Sequence, residues 1–127
     1  MSDYNEYAIL KSEFDKIIKR RLHPSEEYER HLFFMIEHPG SHWNEMEFIC
    51  SYLGQLDFEE VLPCEDEFVI SLLYCSNEHL QELALDALLL WERTRYLERL
   101  RHVRFANYYL QKEFEKLWDT IRSQYDK

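Results

Sequence analysis

The sequence predicts an all-α protein, a short right-handed stack of about six or seven helices. Three observations predict it. Apolar residues recur at helical spacing along most of the chain. Two glycines and three prolines in 127 residues leave too little punctuation for the tight turns of a β fold. Hydrophobic content of 46 %, with 16 % aromatics, is ample for a core and argues against disorder despite a net charge of −10. This length fits one helical domain, 1–127.

A first helix is expected over 3–21, with Tyr7, Leu10, Phe14, Ile17 and Ile18 on one stripe. Lys19, Arg20 and Arg21 suit the negative end of its dipole, and His23 with Pro24 stops it. Ser25 caps a second helix, with Glu26, Glu27 and Glu29 in its first turn and Tyr28, Leu32, Met35 and Ile36 inward. His38, Pro39 and Gly40 break it. Ser41 opens a third, over 42–55, burying Trp43, Met46, Ile49, Cys50 and Leu53. Asp57 and Glu60 make a capping-box-like start for a short turn or helix that halts near Pro63. A fifth helix is expected from about Asp66 to Cys75, through Phe68, Val69, Leu72 and Leu73. Ser76 or Asn77 caps a sixth, ending near Glu92, with Leu80, Leu83, Ala84, Ala87, Leu88 and Trp91 inward. The tail, 94–124, reads as one long helix or two, and a short helix followed by a long one is favoured.

Charge is distributed unevenly. Residues 31–92 contain thirteen aspartates and glutamates and no lysine or arginine, whereas 1–30 sum to −1 and 93–127 to +4. Solvated surfaces ordinarily mix both signs. A single-sign acidic field attracts basic proteins and repels nucleic acid and anionic membranes. The expected partner is therefore a basic protein, with no nucleic acid and no membrane.

From Leu72 the chain reads L-L-Y-C-S-N-E-H-L-Q-E-L-A-L-D-A-L-L-L-W. This resembles a HEAT repeat: two leucines closing one helix, a short polar turn, then a helix with Leu80, Ala84, Ala87 and Leu88 at the buried positions. Gln81 stands where the family prefers arginine, and Asn77 where it prefers aspartate. A looser copy runs through Phe34, Met35 and Ile36, the turn at 38–41, and M-E-F-I-C-S-Y-L-G-Q-L from Met46, with Leu53 and Leu88 spaced 35 residues apart. The resemblance implies helix-pair stacking over 32–92 with capping helices at both ends, and a binding surface, not a catalytic centre. In size, acidity and overall character the chain also resembles the immunity proteins that bacteria carry against their own polymorphic or contact-dependent toxins.

Residue chemistry points the same way. Two glycines cannot build a phosphate loop, and no Gly-x-Ser-x-Gly elbow occurs. His38 and His42, though four apart, straddle Pro39 and Gly40 and so do not share a helix face as an H-E-x-x-H pair would. No catalytic residue, metal or cofactor is expected. Cys50, Cys64 and Cys75 form no C-x-x-C pair and read as thiols of a reducing compartment. The first residues have neither the basic leader nor the apolar run of a signal peptide, and a cytoplasmic location is expected. Arg93, Arg95, Arg99, Arg101 and Arg104, interleaved with aromatics, offer a single-stranded nucleic-acid pattern. Pairing with Glu92, Glu98 and the acidic sixth helix is favoured instead.

The expected function is stoichiometric protein binding without turnover. The sharper form is an immunity protein masking a basic toxin such as a nuclease, and the alternative is a HEAT-like adaptor for a basic peptide or subunit. The candidate partner-binding residues are the acids Asp57, Glu59, Glu60, Glu65, Asp66, Glu67, Glu78, Glu82 and Asp86, with Trp43, Tyr52 and Tyr74 as aromatic anchors.

Overall fold

Helical spacing of apolar residues becomes six helices in the computed structural model, which describes Lys19 and residues 26–125. They are α1 (Glu26–Glu37), α2 (Trp43–Leu53), α3 (Pro63–Leu72), α4 (Glu78–Trp91), α5 (Leu97–Leu100) and α6 (Tyr108–Tyr125). Single 3-10 turns at Pro39–Ser41 and Phe58–Glu60 precede α2 and α3. No strand occurs among the described residues, so the fold is all-α. The helix expected over 3–21, apart from Lys19, and its successor's Ser25 cap lie outside the described residues.

Helix α3 starts at Pro63, three residues before the expected Asp66. Proline is a good first helical residue because that N–H has no intrahelical partner and the ring presets φ. Glu65, at the third position, reaches back to accept the Leu62 N–H at 2.9 Å. Asn77 supplies the cap of α4, its side-chain oxygen accepting the Leu80 N–H at 3.1 Å. That helix ends where Glu92 turns left-handed, with φ 56°.

The tail divides into a short and a long helix, and Asn107 divides it. Its Oδ1 accepts from the N–H of Tyr109 at 2.9 Å and of Leu110 at 3.1 Å. Gln111 bends back to accept the Phe105 N–H at 2.9 Å, and Val103 is buried in between.

Neighbours in space are mostly two apart in the chain: α1 packs on α3, α2 on α4 and α4 on α6. Contact between α3 and α4 joins the two layers. The core between them is Leu32 and Met35, Met46, Ile49 and Leu53, Phe68 to Ile70, Leu72, Leu80, Ala84, Leu85 and Leu88, extended by Leu100, Phe114, Leu117 and Ile121. Two polar side chains stitch consecutive pairs. Gln81 donates to the Leu73 and Cys75 carbonyls, at 3.3 and 2.7 Å, which satisfies groups orphaned at the end of α3. Trp91 is buried and donates its indole N–H to the Leu56 carbonyl at 3.1 Å.

Asn107→Ala leaves two N–H groups of α6 uncapped and is expected to cost about 1 kcal/mol, a fall in Tm of about 3–5 °C for a chain of this length. Thermal unfolding followed by circular dichroism measures it. An unchanged Tm would mean that burial of Val103 alone holds the break between α5 and α6.

Candidate functional site

Six carboxylates between Asp57 and Glu67 were expected to form one acidic face. The structure divides them. Glu65 and Asp66 are fully buried, at 0 % exposure, and so are not part of any surface. Glu65 accepts the Tyr28 hydroxyl of α1 at 2.6 Å as well as the Leu62 N–H. Asp66 accepts the Thr94 hydroxyl and the Arg95 N–H, both at 2.9 Å, with the Arg95 guanidinium at 3.4 Å. The reason is periodicity: residues 65, 66, 68, 69, 72 and 73 share the buried face of α3 and the turn after it.

Arginines from beyond the acidic segment return to it. Arg95 also donates to the Val61 carbonyl at 2.9 Å and lies 4.6 Å from the Phe58 ring centroid. Arg99 reaches half-buried Glu67 at 3.4 Å and Ser71 at 3.0 Å, and Arg93 reaches exposed Glu59 at 3.2 Å. The expected pairing of Arg101 with Glu98 is present, at 2.6 Å. For Arg93, Arg95 and Arg99 the expected pairing with Glu92 and α4 is replaced by Glu59, Asp66 and Glu67, and Arg104 donates to the Arg101 and Val103 carbonyls. Asp57 and Glu60 are exposed at the turn before α3.

The acidic field therefore lies on α4. Glu78, Glu82 and Asp86 follow one another at four-residue intervals and are all exposed. Among the described residues, no lysine or arginine stands within ion-pair distance of these three. Glu47 of α2 flanks the stripe and contacts His79 at 3.1 Å. Burial, then Glu82 and Glu113 of α6, push the Asp86 carboxyl above its ordinary value. The next position of the stripe is Leu90, 65 % exposed. It borders a groove of about 360 Å3 that also includes Asp57, Phe58, Glu59, Trp91 and Glu92.

Of the predicted aromatic anchors, Trp43 and Tyr52 are half-buried and pack against the core. Tyr74 is 49 % exposed, and its hydroxyl donates to the Arg99 carbonyl. Leu90 was missed, although three consecutive leucines, Leu88 to Leu90, cannot all face inward on a helix. Phe34, Tyr108 and Tyr109 are also exposed.

Around His31, His42 and Glu45 a polar cluster joins α1 to α2, with His31 to Glu45 at 2.6 Å and His42 to Glu45 at 3.5 Å. Among the described residues no three histidine, cysteine or carboxylate side chains gather in a form that could hold a metal. Burial pushes the Cys50 thiol up to about 12 and Cys64 to about 11, so neither is a thiolate near neutral pH. No described helix is long and apolar enough to cross a membrane. No protein-family model, curated protein or solved structure matches this chain.

Two predictions follow from these carboxylates. Burial holds Asp66 above its ordinary value of 3.8, against the lowering pull of the Arg95 N–H, Thr94 and the guanidinium. The folded chain keeps that proton to higher pH than the unfolded one. Stability owed to Asp66 therefore falls as pH rises from about 3.8 through the raised folded value, then levels. Asp66→Asn retains an oxygen acceptor for Thr94 but turns an amide N–H towards the donors of Arg95, leaving a buried hydrogen bond unmade, and is expected to cost about 1–3 kcal/mol. Urea unfolding of both proteins across acid pH should show the gap narrowing as pH rises. A widening gap would mean that the paired carboxylate sits below its ordinary value. Asp86→Asn relieves repulsion four residues from Glu82 and is expected to stabilise by about 0.2–0.5 kcal/mol at low salt, the gain vanishing at high salt. The same unfolding assay at two salt concentrations tests this.

Proposed function

We propose that this chain is a stoichiometric protein-binding protein, without turnover, that takes a basic partner on the α4 face. One observation carries the reading: Glu78, Glu82 and Asp86 form a regular carboxylate stripe with no lysine or arginine paired to it among the described residues, and the stripe runs into exposed Leu90. Charge of one sign steers a basic partner into encounter, and an apolar anchor at the end of the stripe slows its departure. Asp57 and Glu92 rim the groove beside Leu90 and extend the field, while Glu59 there is paired with Arg93.

The sharpest form of the reading is an immunity protein that masks a basic toxin. A nuclease fits best, because its cleft must be positive to hold nucleic acid. Carboxylates spaced along a helix then stand in for phosphates. The high-pKa, unpaired thiols suit a reducing compartment, which supports a cytoplasmic location. A second reading, a HEAT-like adaptor for a basic peptide or subunit, draws support from the packing of helices two apart in the chain.

Capture from a lysate of the source cells tests both. The bait is compared with Glu78→Lys/Glu82→Lys/Asp86→Lys, which alters exposed positions only. Glu65 and Asp66 must stay intact, since reversing either would unfold the start of α3. A basic protein held by the wild type alone, released by salt and toxic when expressed by itself, is the expected result. A salt-released but harmless partner would favour the adaptor. Equal capture by both forms would sink the acidic-face mechanism.

A further inference from the structure

The turn before α3 is tied to the end of α4 by three contacts around one groove. The Trp91 indole N–H donates to the Leu56 carbonyl at 3.1 Å, the Phe58 and Trp91 ring centroids are 6.0 Å apart, and Arg93 reaches Glu59 at 3.2 Å. Asp57 follows Leu56 in the chain and Glu92 follows Trp91, so these contacts bring both carboxylates to the same groove of about 360 Å3. Both residues are exposed, and neither carboxylate has a hydrogen bond or ion pair among the described residues. Arg93, the cation of the lining, is turned to Glu59 and neutralised there. Helix α4 also ends at this groove, with no basic residue in its last turn. Past the Glu92 N–H, which bonds to Leu88, no described donor reaches the carbonyls of Leu89, Leu90 and Trp91. The negative end of a 14-residue helix dipole thus adds to the two carboxylates. Leu90, 65 % exposed, gives the groove an apolar wall.

We propose that this groove receives an arginine side chain of the basic partner, with the aliphatic stem on Leu90 and the guanidinium between Asp57 and Glu92. The inference rests on the reading of α4 as the partner-binding face, and names the group that the end of that face takes. Every charge the groove leaves unpaired is negative, and the free ends of α4 add acceptors to it. Arginine is a pure donor whose five N–H groups form a planar fork, so it meets acceptors on two sides at once. A lysine offers three donors from a single point. Long cationic side chains lay their methylenes on apolar surface and keep the charged head at a polar rim, as Leu90 and the two carboxylates require. The fold uses the same chemistry next door, where Arg95 joins Asp66 and the Phe58 ring. An anionic occupant is opposed by charge, and an apolar one would strip water from carboxylates without replacing it.

Nuclear magnetic resonance titration of the isotope-labelled chain with N-acetyl-arginine amide tests the groove without the partner. The Trp91 indole N–H, which lies in the groove wall, is the reporter. A saturable shift of that resonance is expected at low ionic strength, with a Kd of about 1 mM, the strength a probe of this size reaches. N-acetyl-citrulline amide, which has the same shape and no charge, should leave it unmoved. N-acetyl-lysine amide should bind at least about threefold more weakly. Asp57→Asn/Glu92→Gln should weaken the arginine probe by about tenfold with the helical circular dichroism unchanged, since neither side chain holds a hydrogen bond of the fold. A silent Trp91, citrulline or lysine matching arginine, or an unweakened Asp57→Asn/Glu92→Gln variant would each overturn the groove proposal. Those results leave capture of a basic partner by Glu78, Glu82 and Asp86 intact, whereas equal capture by the charge-reversed α4 variant defeats the face itself.

Discussion

Two adjacent buried carboxylates at the start of α3 hold the molecule together. Asp66 takes its hydrogen bonds from Thr94 and Arg95, which follow α4. Glu65 takes its own from Tyr28 of α1 and from Leu62. One helix start therefore fixes an element 37 residues upstream and a turn 28 residues downstream. Burying an ionised carboxylate without partners would cost several kcal/mol. The cost is met here because the helix N-terminus favours negative charge and every buried side-chain polar atom described has a hydrogen-bond partner. A pair of this kind ties the chain to one arrangement, since any slip of α3 against its neighbours strands a charge.

That constraint also sets where the surface charge is found. Arg95 is drawn to Asp66, and on either side of it Arg93 and Arg99 come within reach of Glu59 and Glu67. The turn with the densest run of acids in the sequence is thereby the best neutralised. The uncompensated acids are on the outer face of α4, where they are spread more thinly along the chain. Linear charge density is a poor guide to surface potential when cations about thirty residues away fold onto the same spot.

Much of the fold was legible, because burial imposes a helical period on the chain. The inner faces of α2 and α4 and the α4 cap, narrowed to Ser76 or Asn77, follow from that period and from turn chemistry. The misreadings have physical causes. Pro63 was taken as a stop although proline both ends a helix and begins one, and only the Glu65 reach to Leu62 separates the two cases. Asn107 lies among residues without glycine or proline, so its capping role shows only once the two N–H groups are seen converging on it. Glu65 and Asp66 were assigned to the surface by residue type, yet they stand three residues before Phe68 and Val69 on the same face. There the period was the better witness, and the habit of placing acids outside overrode it.

Magnitudes explain why α4 can carry an acidic outer face at all. Like charges four apart on a helix cost about 0.2–0.5 kcal/mol per pair, so the stripe destabilises by less than about 1 kcal/mol. The inner face of the same helix buries Leu80, Leu85 and Leu88 completely, each worth about 1.5–3 kcal/mol. Burial wins by several fold, and α4 is further clamped by α2, α3 and α6. A face held this firmly needs little ordering when a partner arrives, and a rigid array of charge loses less entropy on binding than a mobile loop would. Packed against three other described helices, α4 can thus present unbalanced charge at little cost.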